Sequence, residues 1–327
     1  MRALVTGAGG FLGRALVGEL RSEGDDVRAV VRPSSAVPAE LEGATVVRAD
    51  LRAPAAIGPD ALDGVDVIYH LAASLMPPWR SMFESNVIAT EHLVAALASA
   101  GWRGRFVHVS TFSVYGLNQL PAGATVDEDT PLEPEPAQRD DYAWTKLLQE
   151  RLIRAAAQEQ GFELAIVRPG AVYGPGRSWQ HRIGRQLSER AVVMFGGGNA
   201  LPLTYVENTT SLISAAGRHP AAAGQVFNAV DPAPPTQREF LARWRRARGG
   251  RTVVIPVPLA VLRAAGAAYT AAEQRSRGAV SPPALLRPYV ITPTMRPFRY
   301  APSRAERVLG WRAPIAPDEG IRRTLDE

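Results

Sequence analysis

Val5-Thr6-Gly7-Ala8-Gly9-Gly10-Phe11-Leu12-Gly13 is the stretch on which the fold turns. An apolar run from Arg2 to Thr6 enters it with the look of a strand, and Phe11 to Glu23 leaves it with helical apolar spacing. Three glycines between a strand and a helix make a loop whose backbone can come close to an anion. A side chain at Gly7 or Gly10 would crowd the turn or the anion, Gly13 lets the helix pack on the strand, and the helix N-terminus favours negative charge. A glycine pattern alone is a weak signal, but the strand-loop-helix context makes this one a candidate dinucleotide loop.

Outward from that loop, short apolar runs alternate with helix-like stretches up to about Pro169, the pattern of βαβ units feeding a parallel sheet. Candidate strands are Arg2 to Thr6, Val27 to Arg32, Thr45 to Arg48, Val65 to Leu71, Arg105 to Ser110 and Glu163 to Val167, with helices over Phe11 to Glu23, Met82 to Ala100 and Tyr142 to Gln160. This predicts an α/β chain with a Rossmann-type doubly wound parallel sheet over residues 1–169. After Pro169 the rhythm is less regular and richer in Gly and Pro. Residues 170–327 are expected to build mainly a smaller substrate lobe, interleaved with the first because residues 225–230 read as a returning strand.

Composition excludes several classes. The 327 residues are 46% hydrophobic and 21% charged, outside the range of disordered chains. The longest apolar stretch, Thr252 to Ala272, is interrupted by Pro256, Pro258 and Arg263, so it is expected to be a buried or pocket-covering helix and no membrane span. With no cysteine, thiolate catalysis and cysteine-ligated zinc are ruled out, and no metal site is expected. The apolar strand begins directly after Met1, which predicts a cytoplasmic protein without a leader. Net charge is +5, yet the arginines are dispersed with no dense basic block, so a solvated surface is expected and no nucleic-acid partner.

Three further stretches bear on chemistry. At the end of the second strand, where an acidic residue would bond a ribose 2′-hydroxyl, stands Val31, followed by Arg32, Ser34 and Ser35. A guanidinium with nearby hydroxyls suits a 2′-phosphate, so NADP(H) is favoured, with NAD(H) as the alternative should Arg32 merely stack on adenine. Tyr142 and Lys146 lie four apart and hence on one helix face. A phenol needs a nearby cation to act as acid or base at neutral pH, and an ammonium can also release protons, which a guanidinium does not. Of 37 Lys and Arg residues only Lys146 is lysine, the position where arginine could not substitute. Finally, Phe106 to Gly116 reads as a strand ending in hydroxyls at its carboxyl edge, where open α/β sheets place ligands.

These residues together resemble the extended short-chain dehydrogenases/reductases, the NAD-dependent epimerase/dehydratase superfamily. The motifs are the glycine loop, Asp50-Leu51, His70-Leu71-Ala72-Ala73, Ser110 to Gly116, Tyr142-x-x-x-Lys146, Arg168 to Gly176, Thr204 to Asn208 and Ser303 to Trp311. They span nearly the whole chain, and the C-terminal half is most similar to the bacterial 3β-hydroxysteroid-dehydrogenase-like branch. The resemblance implies a catalytic set of Thr111, which bonds the substrate oxygen, Tyr142, which transfers the proton, and Lys146, which holds the nicotinamide ribose and lowers the Tyr142 pKa. Expected cofactor residues are Gly7, Gly10, Phe11, Leu12, Gly13, Arg32, Asp50, Leu51, Leu71, Ala72, Ala73, Asn86, Lys146, Pro169 and Val172. His70 reads as structural. A homodimer through the Met82 and Tyr142 helices is the implied partner.

Three reactions compete within the resemblance. Sugar dehydration is disfavoured because Thr111 is followed by Phe112 and Ser113 where dehydratase-like members carry an Asp-Glu pair. Epimerisation of a nucleotide sugar would call on cations such as Arg177, Arg182 and Arg185. Ketone reduction is favoured by Leu75, Met76, Pro77, Pro78 and Trp79 after the cofactor strand, with Val253 to Tyr269 as a cap. Leu75, Met76, Ser113 and Arg177 are the candidate substrate residues for a small, partly apolar carbonyl compound. A cofactor-sensing regulator without catalysis is the remaining alternative, which the Tyr142 and Lys146 pair argues against.

Overall fold

The computed structural model describes residues 1–75, 78–177, 183–188, 190–195, 198–275 and 296–325. Met76, Pro77 and Arg182 therefore lie outside the described residues. The central sheet is built from β1 (Arg2–Thr6), β2 (Asp26–Val31), β3 (Thr45–Arg48), β4 (Val67–His70), β5 (Arg105–Val109), β6 (Glu163–Pro169) and β7 (Val226–Ala229). All pairings are parallel and the spatial order is β7-β6-β5-β4-β1-β2-β3. Strand order therefore reverses between β1 and β4, which opens a crevice at their carboxyl ends. The glycine loop leaves β1 there, and His70 to Ala73 leave β4 beside it.

A parallel sheet must be covered on both faces, and the strands read accordingly: β4 and β5 are buried at every residue. One face packs against α1 (Phe11–Ser22) through Leu16, Val17 and Leu20, together with α4 (Val206–Arg218) through Leu212 and Ile213. The other packs against α2 (Ala89–Ser99) through Leu93 and Leu97, together with α3 (Asp141–Gln160) through Ile153 and Ala156. Truncating one of these leucines to alanine removes contacts worth about 2–5 kcal/mol.

Outside this sheet, Ala191–Phe195 pairs with both Arg185–Ser188 and Val253–Val257, and Leu203–Tyr205 pairs with Ala171–Tyr173. A third cluster around Tyr173, Tyr205, Phe240 and Trp244 holds these pieces together.

Two sequence expectations change. The stretch Thr252 to Ala272 is not one buried helix. Val253–Val257 is a strand, and a helix runs only over Leu259–Arg275, with Val253 59%, Val261 55% and Tyr269 39% exposed. The β-branched run Thr252 to Ile255 favours extended backbone, and Pro256 and Pro258 remove donors that a helix would need. The expected Met82 to Ala100 helix also starts earlier and is interrupted. Trp79–Phe83 is followed by a π-helical turn, Glu84–Ile88, before α2. Such turns appear where a side chain must be re-aimed, and here the turn carries Asn86.

Candidate active site

The glycine loop has the tight geometry the sequence demanded. Gly7 has φ +72, and a Cβ there would sit 2.8 Å from the backbone nitrogen of Ala72. A Cβ on Gly13 would lie 2.1 Å from the carbonyl oxygen of Gly7, so α1 can approach β1 only with glycine at that position. The N-cap of α1 is Gly10, which brings no side-chain acceptor, and the first turn holds no acidic residue. Its backbone N–H groups are thus placed to receive an anion.

A cleft of about 620 Å³ opens over this loop. Gly7, Gly10, Arg32, Asp50, Leu51, Leu71, Ala72 and Ala73, read in the sequence as cofactor residues, line it, and so does Leu75, read there as a substrate residue. Ser35, read beside Arg32 as a hydroxyl suited to a 2′-phosphate, lines it too, and Arg52, Ser81 and Ser85 line it without having been singled out in the sequence. The glycine cradle, the apolar Leu51 and Ala89 and the guanidinium of Arg32 fit a dinucleotide in shape and chemistry. Asp50 is gripped by Arg52, with Nε donating to Oδ1 at 3.0 Å and Nη2 to Oδ2 at 2.6 Å. That hydrogen bond holds its carboxyl below the usual carboxylate range despite some burial, helped by the charges of Arg52 and Arg32. Arg48 shapes the same edge by donating to the carbonyl oxygens of Arg32 and Ser35, at 3.2 and 2.5 Å.

The remaining expected cofactor residues are not among those that line the cleft. Phe11 lies under the guanidinium of Arg177, 5.5 Å from its Cζ, and packs with Leu12 against the third cluster. Pro169 ends β6 opposite Ala229, and Val172 pairs with Thr204. Asn86 is fully buried. Its Oδ1 accepts from the backbone nitrogen of Ser74 at 2.6 Å, and its Nδ2 donates to the Ser74 carbonyl at 3.1 Å and to Thr145 Oγ1 at 2.9 Å. It pins the loop after β4 to α3. Trp79 packs on Trp144, with ring centroids 4.2 Å apart. Arg185 is exposed on an outer strand.

At the carboxyl end of β5, Thr111 caps a short 3₁₀ turn, Phe112–Val114, and accepts from the backbone nitrogen of Ser113 at 3.2 Å. The side chain of Thr111 lies beside the phenol of Tyr142, near enough to act on its ionisation. Burial pushes the Tyr142 phenol up to about 12. The neighbouring Thr111 side chain opposes this, the Asp140 carboxylate adds to it, and the guanidinium of Arg177 opposes it. Asp140 is also the N-cap of α3, accepting from the backbone nitrogen of Ala143 at 2.7 Å, and so fixes where Tyr142 begins the helix.

Lys146 lies one turn further along α3 and is 1% exposed. Its Nζ donates to the carbonyl oxygen of Val109 at 2.9 Å and to Oε1 of Gln149. Burial lowers its pKa to about 7, partly opposed by the charge of Glu150. An ammonium in that range can gain and lose its proton near neutral pH.

Behind it, Arg168 on β6 grips Glu150 of α3 with two bonds, Nε to Oε1 at 3.0 Å and Nη2 to Oε2 at 2.7 Å, both side chains being almost wholly buried. Burial would raise the Glu150 carboxyl, but the bond and charge of Arg168 outweigh it and hold it low. Gln149, Glu150, Thr6 and Thr90 were all missed by sequence reasoning. The available signal was helical: Gln149 and Glu150 sit three and four residues after Lys146, on the same face.

The chain is similar to proteins already known. Residues 3–229 match the model of the NAD dependent epimerase/dehydratase family. A 2-alkyl-3-oxoalkanoate reductase of Stenotrophomonas maltophilia is 28% identical over 99% of this chain and 98% of its own length. A 3 beta-hydroxysteroid dehydrogenase/Delta 5-->4-isomerase of Mycobacterium tuberculosis is 33% identical over 76% of this chain and 70% of its own. The crystal structure of a UDP-glucuronic acid 4-epimerase from Bacillus cereus superposes with a TM-score of 0.74 at 21% identity, covering 100% of this chain and 96% of that one, which shows a shared fold. The chain belongs to the NAD-dependent epimerase/dehydratase family, the extended short-chain dehydrogenases/reductases, and is an NAD(P)-dependent oxidoreductase. Among the described residues no helix is long and apolar enough to cross a membrane.

Proposed function

We propose that this oxidoreductase is a ketone reductase or alcohol dehydrogenase acting on a small, partly apolar carbonyl compound, with Thr111, Tyr142 and Lys146 as its catalytic set. The observation that carries the reading is that Thr111, at the carboxyl edge of β5, stands beside Tyr142 of α3, one helical turn from a buried lysine. The nicotinamide cofactor, when bound, supplies or takes up the hydride. Thr111 orients the substrate oxygen, and the proton is held and moved at the Tyr142 hydroxyl. With its pKa near 12 the phenol keeps its proton at neutral pH and stands ready as the acid for reduction. Leu75, 57% exposed at the rim of the cleft, supplies apolar surface for the substrate. The names of the two relatives, a 2-alkyl-3-oxoalkanoate reductase and a 3 beta-hydroxysteroid dehydrogenase, support a carbonyl or carbinol substrate.

NADP(H) is the preferred cofactor in this proposal. Arg32 and Ser35 at the end of β2 face the cleft where a 2′-phosphate would sit, and Arg52 already neutralises Asp50. Replacement Tyr142→Phe is expected to leave NADPH binding unchanged and to lower kcat in a ketone panel by about 10²–10⁴. Undiminished turnover refutes the assignment. A protein that retains tightly bound NAD through purification and interconverts sugars without net redox change would instead be an epimerase.

A further inference from the structure

We propose that Gln149 is a positioning residue: its side-chain amide holds the ammonium of Lys146 at the end of β5 and ties it, through the Nδ1–H tautomer of His70, to Thr6 directly beneath the glycine loop. The direction of every bond follows from the lysine. An ammonium only donates, so the atom of Gln149 facing Nζ is its oxygen and the opposite end is its NH₂ group. That NH₂ group lies 2.7 Å from Thr90 Oγ1 and 3.0 Å from His70 Nε2.

Thr90 Oγ1 is also 2.9 Å from His70 Nε2 and 2.7 Å from the carbonyl oxygen of Asn86. If Nε2 of His70 carried the proton, two donors would face each other across 3.0 Å. If Nε2 is bare, every contact pairs a donor with an acceptor: Gln149 gives to Thr90 and to His70, and Thr90 gives to Asn86 or to His70. The proton of His70 is then on Nδ1, which donates to Thr6 Oγ1 at 2.7 Å. Thr6 Oγ1 accepts in addition from the backbone nitrogen of Ala72 at 3.3 Å.

The chain Lys146–Gln149–His70–Thr6 therefore joins α3 to the ends of β4 and β1, the two strands that form the dinucleotide crevice. All four of its side chains are buried, so an unmade bond within it is costly. Burial and the charge of Lys146 keep His70 neutral, down to about pH 3, which preserves a single tautomer at working pH. The titratable groups around the ammonium are Glu150 and, one turn back, Tyr142 on its own helix, His70 on β4, and His108 on β5, stacked on His70 at 5.9 Å. Glu150 is engaged by Arg168 of β6, and burial holds His108 neutral. That leaves the Gln149 oxygen and the Val109 carbonyl to anchor the ammonium.

The inference deepens the proposed function, since it concerns the lysine assigned there, yet its test needs no turnover and so stands or falls separately. Lys146 is the chain's single lysine, so the Cε resonance of isotope-labelled lysine reports its titration without assignment. Its midpoint is expected to fall by about one pH unit in Gln149→Leu, a tenfold change in the protonation ratio, and to rise by a similar amount in Gln149→Glu. In the unmutated protein, ¹⁵N-histidine spectra, with the His70 signals assigned by their loss in His70→Asn, are expected to show Nδ1 protonated and Nε2 bare. An unmoved lysine midpoint in either variant overturns the proposal. So does a protonated Nε2 on His70 in the native protein, which decides the matter even if neither variant folds.

Discussion

The two ends of the candidate site are held by opposite means. Behind Lys146 an ion pair is buried and closed inside the protein: Glu150 and Arg168 are 1% and 3% exposed. At the β2–β3 edge the pairing is done in water, with Arg52 46% and Asp50 32% exposed. Low dielectric makes the first arrangement rigid and intolerant of loss, whereas solvent screening makes the second cheap to alter. In the proposed function the chemistry is thus assigned to the rigid end and the cofactor preference to the adjustable one.

That contrast can be broken or sharpened by substitution. The largest effect is expected at Glu150→Ala, which leaves the Arg168 guanidinium buried without its partner. It should cost about 3–5 kcal/mol in urea unfolding, and a cost under 1 kcal/mol would show that water reaches this network.

Next comes the pH dependence of Lys146. Its folded pKa, about 7, lies below the unfolded value, so between the two the unfolded chain binds the extra proton and stability rises with pH. Lys146→Met should therefore exceed wild type in stability most at pH 6 and progressively less as pH climbs towards 10. A constant difference across that window would mean that the lysine is not desolvated.

At the other end, Arg32→Ala is expected to shift the NADPH-to-NADH affinity ratio by about tenfold, or 1.4 kcal/mol, at unchanged melting temperature. Equal loss for both cofactors would assign Arg32 to adenine stacking instead. The smallest effect belongs to Arg52→Ala, which should change stability by less than about 1 kcal/mol because its ion pair is solvent-exposed. Calorimetry with the two variants side by side checks both.

Much of this architecture was legible beforehand, for local reasons. The glycine spacing requires a tight turn whatever surrounds it, and the alternation of apolar runs and helices leaves few ways to cover a parallel sheet. Tyr142 and Lys146 share a face because a helix has 3.6 residues per turn. Other features escaped because their causes lie far away in sequence. Gln149 meets His70 across 79 residues and Arg168 meets Glu150 across 18, and neither spacing has a signature. The strand Val253–Val257 was hidden in an apolar run whose period does not distinguish strand from helix, and pairing with Ala191–Phe195 settled it.

From its own residues, then, the chain determined the crevice: glycines where no Cβ fits, and a phenol and an amine on one helical face. Tertiary structure alone decided which groups hold that amine, how far burial moves its pKa, and that the loop after β4 is pinned by Asn86. The physical reason is that backbone sterics and helical periodicity act over a few residues, whereas desolvation and hydrogen-bond partnership exist only once distant segments have closed around the group.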